Sequence, residues 1–483
     1  MPKLLSRAFL FNFCAAILVG ISLRFVVNLA PVWWLVWLAP APLLIIALRS
    51  TGRETFWITA FAVLIGLSGN LHYYRVAMPT VFALLVLLAQ TGLWVFVVSA
   101  TRRIVLRYQS WWSVFVYSTM WCATDTLMAH LLPDGNWGSL AYSQVEFLPF
   151  VQIASLFGVA GVLFLLSLFP STVALAIVYG NRLTRARYAY GLTGLLLAAT
   201  LIYGAFRLQT SSDGQQTVFG LISIDDAIGL NASENYAELI WKKYDEHVAV
   251  LAAQGASIIL LPEKIAILTP AKAEKLKEHL SNLAKNQHVW VAAGLGIDNG
   301  IERTNVAWMI SPEGSQTNIY QKHHMAPPER DYVAGKSYET TLINNTLYGL
   351  AICKDMHFAS LGRAYAAKNI DVMLVPAWDF YYDQWIASRM TIIRGIEGGY
   401  TIVRSSREGL LTVSDAFGNV LAERQSRALP GETLLVKARI NPHLPTFYAV
   451  IGDVFGWLCV FCAAILLIAG RVSNHKKENN SHL

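Results

Sequence analysis

The chain has 483 residues, 55% of them hydrophobic and only 14% charged, with a formal net charge of +7. Soluble domains carry about 25% charged residues, so this balance excludes an ordinary soluble domain and points to a membrane. The excess Lys and Arg cluster in short loops between apolar runs, which marks membrane topology rather than nucleic-acid binding.

Runs of about 20 apolar residues are long enough to span a bilayer as helices. They are expected at Ala8–Val27, Val32–Ala47, Phe56–Leu71, Val81–Val98, Trp111–His130, Leu156–Tyr179, Tyr188–Phe206 and Tyr448–Ala469. The first has Lys3 and Arg7 before it but no small-residue exit, so it reads as a retained span rather than a signal peptide. Loop cations alternate across the eight spans. One side collects Lys3, Arg7, Arg49, Arg53, Arg102, Arg103, Arg107, Arg182, Arg185, Arg187, Arg471, Lys476 and Lys477; the other short loops hold Arg24, Arg75 and Arg207. The richer side is the cytoplasmic one, which places the polar middle of the chain on the opposite face. The expected organisation is seven spans in 1–208, a folded domain in 209–443, a closing span in 444–470 and a polar cytoplasmic tail in 471–483.

The polar middle reads as α/β. Strands are expected at Val218–Ile224, Ser257–Leu261, Val289–Gly294, Val306–Ile310, Leu347–Ile352, Val372–Val375, Thr401–Ser405, Thr412–Asp415 and Val420–Ala422. Helices are expected at Glu234–Gln254, Pro270–Asn286, through Leu361–Lys368, and at Trp385–Gly398. Cys14, Cys122, Cys459 and Cys462 all lie in apolar segments, and Cys353 stands alone in the polar middle. Neither a disulfide framework nor a metal site is expected from that distribution.

Three polar residues follow apolar strands: Glu263 after Ile258–Leu261, Lys322 after Ile319-Tyr320, and Cys353 after Leu350-Ala351-Ile352. Strand ends are where α/β folds gather reactive groups. A thiol attacks a carbonyl, a carboxylate takes and returns its proton, and an ammonium steadies the oxyanion. Taken singly, each residue has a plainer reading: a small buried hydrophobe for the cysteine, solvated loop charges for the other two. Their occurrence in order favours chemistry.

Leu261-Pro262-Glu263, Tyr320-Gln321-Lys322-His323-His324 and Cys353-x-Asp355 resemble the Glu-Lys-Cys motifs of the nitrilase superfamily. Asn136-Trp137-Gly138-Ser139-Leu140-Ala141-Tyr142-Ser143-Gln144, Gln152-Ile153-Ala154 and Gly158-Val159-Ala160-Gly161 resemble the apolipoprotein N-acyltransferase family, as does the order of spans, domain and closing span. The resemblance implies a multi-span α-helical membrane protein with an inserted nitrilase-like αββα sandwich. It implies Glu263 as general base, Lys322 as oxyanion stabiliser, Cys353 as the residue that forms a thioester, and Glu329 as a supporting carboxylate. It further implies transfer of a phospholipid acyl chain to the α-amine of a diacylglyceryl-cysteine lipoprotein, at the extracytoplasmic face of a bacterial inner membrane; no cofactor is expected, and a monomer is. After the cysteine this chain carries Lys354-Asp355 where the family has Tyr-Glu.

A lipid donor also fits the physics. Moving each CH₂ from water into an apolar site is worth about 0.8 kcal/mol, so drawing a long acyl chain into water would cost on the order of 10 kcal/mol. Trp378, Phe380, Tyr381, Tyr382 and Trp385 form a sequence-local aromatic cluster that either contacts substrate, through Trp378, Tyr381 and Trp385, or serves packing. Two other functions fit the same residues: a membrane-anchored amidase whose acyl-enzyme is resolved by water, and a catalytically silent scaffold that binds lipid or lipoprotein.

Overall fold

A backbone in hydrocarbon has no water to bond with, so apolar runs coil into helices that satisfy their own N–H and C=O groups. The structure, a computed structural model, describes residues 7–209 and 214–479, with side chains outside 7–12 and 471–479. It divides into a helical unit, 1–208 with 451–483, and a second unit, 209–450.

The helical unit holds α1 (Arg7–Arg24), α2 (Pro40–Arg49), α3 (Gly52–Leu67), α4 (Leu71–Ala77), α5 (Thr80–Tyr108), α6 (Val114–Leu131), α7 (Leu148–Val151), α8 (Ala154–Tyr179) and α9 (Ala186–Leu208). Among the described residues, four stretches are long and apolar enough to cross a membrane: Gly52–Ala77, Thr80–Tyr108, Ala154–Arg182 and Ala186–Leu208. Shorter apolar helices occupy Phe13–Arg24, Leu35–Arg49 and Val454–Gly470. Thr51 opens α3 by accepting from Glu54 N while Glu54 bonds back to Thr51 N, a reciprocal cap. Gly158 leaves helical geometry inside α8, with φ +62°. Residues 210–213, Lys3 and the last four residues lie outside the described residues, as do the side chains of Arg7, Arg471, Lys476 and Lys477.

Several cations expected in loops make structural hydrogen bonds, Arg102 and Arg107 from inside α5. Arg102 donates from Nε to Ala47 O at 2.9 Å and Ser50 O at 3.0 Å, Arg107 to Gly470 O at 3.1 Å, and Arg182 to Val178 O at 3.2 Å. The Arg102 and Arg182 bonds satisfy carbonyls at the C-terminal ends of α2 and α8, where the helix dipole favours a cation, whereas Arg107 reaches across to the interior of the closing helix.

In the second unit, β1 (Gln215–Ser223), β2 (Ile258–Leu260), β3 (Ile267–Leu268), β4 (Trp290–Asp298), β5 (Arg303–Ile310) and β6 (Gln316–Gln321) join β13 (Glu432–Ile440) in one seven-stranded sheet. Its order is β13-β1-β2-β4-β5-β6, with β3 pairing β4. The second sheet has the order β12-β11-β10-β9-β8-β7. Its strands are β7 (Thr340–Ile343), β8 (Thr346–Leu350), β9 (Val372–Trp378), β10 (Thr401–Arg407), β11 (Leu410–Ser414) and β12 (Val420–Gln425).

Strand periodicity decides which face goes where. Phe219, Leu221, Ile258, Leu260, Ala292, Ala307 and Met309 point toward the other sheet, joining Leu350, Val372, Leu374 and Val403. Their neighbours Ile222, Ile259, Val291, Ala293, Val306 and Trp308 point outward, under α10 (Glu234–Ala253) and α11 (Pro270–Gln287). The second sheet packs against α13 (Gln384–Gly398), which lies beside α12 (Ala359–Ala366). The result is the αββα sandwich. A short helix α14 (Phe447–Ile451) precedes α15 (Val454–Asn479), whose backbone stays helical well into the segment expected as a polar tail.

The strand β13, absent from the sequence expectations, pairs antiparallel along the whole of β1, from Gln215↔Ile440 to Ser223↔Glu432. The strands β3 and β7 were likewise not expected. Expected strands at Val289–Gly294 and Val372–Val375 extend to Asp298 and Trp378, because both continue as buried partners of neighbouring strands.

Candidate active site

The residues singled out at strand ends meet because β2, β6 and β8 finish near one another. Beyond β2, Leu261 N bonds to Ala292 O at 2.8 Å and Glu263 N to Ala377 O at 3.2 Å, which fixes the Pro262-Glu263 turn against β9. Gly294 on β4 makes this approach possible: a Cβ there would sit 2.6 Å from Glu263 Cα and 2.7 Å from Pro262 O. Lys322 follows β6, with its N–H on Asn305 O at 2.9 Å and its carbonyl accepting from Gly335 N at 2.8 Å.

Cys353 follows β8 after Ala351, whose N–H still pairs with Leu374 O at 3.1 Å. The cysteine itself has φ +44°, left-handed backbone that a residue with a Cβ adopts rarely and that clusters at functional sites. What holds it there is Asp355, fully buried in the turn Cys353–His357. Asp355 Oδ2 accepts from Ile352 N at 3.0 Å and Tyr320 OH at 2.7 Å, and Oδ1 from His323 N at 3.1 Å and His324 N at 2.8 Å. One carboxylate thereby ties the turn of Cys353 to the segment that carries Lys322. Asp355 was legible only as part of a motif; its role as a joint comes from the fold.

Lys322 is 1% exposed, and its Nζ lies 2.7 Å from Glu263 Oε1 and 2.7 Å from Glu329 Oε2. Asn305, fully buried, donates from Nδ2 to Glu263 Oε1 at 2.6 Å and to Glu329 Oε1 at 2.9 Å. Glu329 also accepts from Ala326 N at 3.1 Å and pairs with Lys264. Sequence reasoning expected Glu329, and the structure brings it to Lys322. It gave no role to Asn305 or Lys264, whose partners lie far along the chain.

The electrostatics follow from this arrangement. Burial opposes charge on Glu329, but Lys322 and then Lys264 outweigh it and hold the carboxyl down to about 2. Burial likewise opposes charge on Lys322, yet Glu263 and Glu329 together keep its ammonium above the usual lysine range. The part-buried Cys353 thiol is pushed up, first by burial and then by Glu263, with Lys322 pulling the other way. Both the burial and the neighbouring carboxylate therefore favour the protonated thiol over the thiolate.

Cys353 Sγ lies 3.5 Å from Trp378 O, at the end of β9. The Trp378 indole is fixed by Glu408 Oε2 at 3.1 Å and covered by the Arg407 guanidinium, 4.3 Å from the ring centroid. Its neighbour Asp379 forms a buried pair with Arg404 at 2.5 Å and accepts from Ser406 Oγ at 2.9 Å. The three aromatics do not act as one group. Tyr381 is 42% exposed with its OH on Asp225 Oδ2 at 2.6 Å, and Trp385, on α13, stacks under Arg389 at 5.0 Å. Lys354 directs Nζ to Met325 O at 2.8 Å, bracing the segment after Lys322. Among the described residues no three His, Cys, Asp or Glu side chains gather as a metal site.

Residues 19–172 match the model of the apolipoprotein N-acyltransferase N-terminal domain, and residues 227–419 match that of carbon-nitrogen hydrolases. Together the two matches cover more than half of the chain. The apolipoprotein N-acyltransferase of Geobacter metallireducens is 24% identical, over 94% of this chain and 94% of its own length. That of Haemophilus ducreyi is 23% identical, over 92% and 94%. Among solved structures, an amidase from Nesterenkonia sp. AN1 is 18% identical, covering 49% of this chain and 94% of its own, with a TM-score of 0.43.

Proposed function

The chain belongs to the apolipoprotein N-acyltransferase family, within the carbon–nitrogen hydrolase superfamily, and from that premise we propose that it N-acylates lipoproteins through a thioester on Cys353. The observation that carries the reading is the buried contact of Glu263 with Lys322, 2.7 Å apart, beside a thiol held protonated.

In the first half-reaction Cys353 Sγ attacks an ester carbonyl of a phospholipid, and Glu263 takes the thiol proton. Lys322 faces the developing oxyanion with a preorganised N–H, which costs no reorganisation as charge forms. Collapse expels the lysophospholipid oxygen, which leaves with the proton held by Glu263. In the second half, the α-amine of a diacylglyceryl-cysteine attacks the thioester. Glu263 takes a proton from the amine and returns it to sulfur as the C–S bond breaks. Glu329 supports the pair by sharing Lys322, and Trp378, whose carbonyl lies 3.5 Å from Cys353 Sγ, and Tyr381 are candidates for acyl contact. The excess of Lys and Arg on one side of the expected spans supports an inner-membrane protein with its catalytic domain on the extracytoplasmic face. A monomer suffices for this chemistry.

The test incubates the full-length protein with phospholipid and a diacylglyceryl lipopeptide bearing a free α-amine. Gain of one acyl chain on the peptide, with matching lysophospholipid, is expected. Free fatty acid without peptide acylation would assign a hydrolase instead.

A further inference from the structure

Lys264, next to Glu263, has no part in the steps above, yet the structure gives it an unusual setting. It is 4% exposed and adopts left-handed backbone, φ +48°. Its ammonium pairs with Glu329 Oε1, and it lies 4.3 Å from the Tyr332 ring centroid and 5.9 Å from that of Trp378. Its carbonyl accepts from the Arg407 guanidinium at 2.8 Å. One side chain thus touches the segment that carries Glu329 and Tyr332, and the aromatic residue whose carbonyl faces the Cys353 thiol.

Charge balance shows why this matters. Lys322 alone would face two buried carboxylates, Glu263 and Glu329. With Lys264 present, two cations and two anions alternate, and Asn305 bridges the carboxylates from between. An ammonium has three N–H donors. Two from Lys322 go to Glu263 and Glu329, and the third remains for an oxyanion as long as Glu329 keeps its second cation. Without Lys264, two buried carboxylates share one cation, and Glu329 either takes up a proton or draws Lys322 toward itself and away from the reaction.

We infer that Lys264 is a positioning residue: it anchors Glu329 and the Pro327–Tyr332 segment against Trp378, so that Lys322 keeps a donor directed at the reacting carbonyl. The inference rests on the Glu263, Lys322 and Cys353 roles proposed above. The charged and titratable groups facing Glu329 are Lys264 and Lys322, with Glu263 across Asn305, Cys353 beyond Lys322, and Tyr332 on its own segment. Glu329 is held down by both lysines against burial, which agrees with the geometry.

The test measures the rate of acyl-adduct formation against pH on full-length protein with phospholipid. It compares wild type with Lys264→Met, Lys264→Arg, Glu329→Gln and the double variant Lys264→Met/Glu329→Gln. Lys264→Met should slow acylation about 10- to 100-fold and move the acid limb of the profile upward by about 1 to 3 pH units. Lys264→Arg should recover most of the rate. In the Glu329→Gln background, which leaves no buried carboxylate unmatched and so keeps the fold testable, Lys264→Met should cost less than about threefold. An unmoved acid limb, or costs that simply multiply in the double variant, would overturn the role of Lys264 while leaving the triad intact. Failure of the wild-type chain to form an adduct on Cys353 would instead remove the triad reading, and this inference with it.

Discussion

Replacing Lys322 by methionine keeps the length of the side chain and removes one buried charge. In the wild-type chain that charge lies 2.7 Å from each of two carboxylates whose side chains are at most 6% exposed. Glu329 sits at about 2 instead of the usual 4.5, which corresponds to roughly 3 kcal/mol of folding stability. That contribution is fully present above pH 4.5 and is lost as pH falls toward 2, because the folded state holds the carboxyl below its unfolded value. Removing Lys322 leaves Glu329 with Lys264 but takes from Glu263 the cation it pairs with, and breaking a buried pair from one side costs about 3 to 5 kcal/mol. Thermal unfolding of the detergent-solubilised variant, followed by intrinsic fluorescence, should show a deficit that is largest above pH 5 and narrows as pH drops below it. Thioester formation should fall by at least about 100-fold, the usual effect of losing an oxyanion donor. A variant with wild-type melting and no pH dependence in the difference would refute a charged, load-sharing Lys322, whatever its activity.

Asp355→Ala should cost about 3 kcal/mol in stability, because it leaves the backbone N–H groups of Ile352, His323 and His324 and the Tyr320 hydroxyl without their acceptor; unchanged melting would contradict its role as a joint. Gly294→Ala should reduce acylation strongly without removing any functional group, since the new Cβ must displace Glu263 from 2.6 Å; wild-type turnover would show that the turn has slack. Because Cys353 is pushed above the usual thiol range, its alkylation by iodoacetamide should still be accelerating at about pH 9. A rate that levels off below pH 8 would mean a preformed thiolate.

Much of this was legible in the sequence for a local reason. Helices α10, α11 and α13 and the core strands announce themselves by periodicity, and Glu263, Lys322 and Cys353 each follow an apolar strand. What escaped depends on contacts distant in the chain. The strand β13 has the alternation of a half-buried strand, with Leu434, Val436, Ala438 and Ile440 inward, but its pairing with β1 joins the two ends of the domain. Lys264 reads locally as a solvated charge after a turn, and only the fold brings Glu329, Tyr332 and Trp378 around it. The aromatic residues show the converse. Trp378, Tyr381 and Trp385 are close in sequence, but a strand end, a loop residue at φ +58° and a helix send them to different partners.

The most direct measurement is the intact mass of the full-length protein after incubation with phospholipid and no acceptor. An increase of one acyl chain, mapped to Cys353, absent from Cys353→Ala and discharged by a diacylglyceryl lipopeptide, is the expected result. An unmodified wild-type chain that still acylates the lipopeptide, or an adduct that survives in Cys353→Ala, would contradict transfer through this thiol.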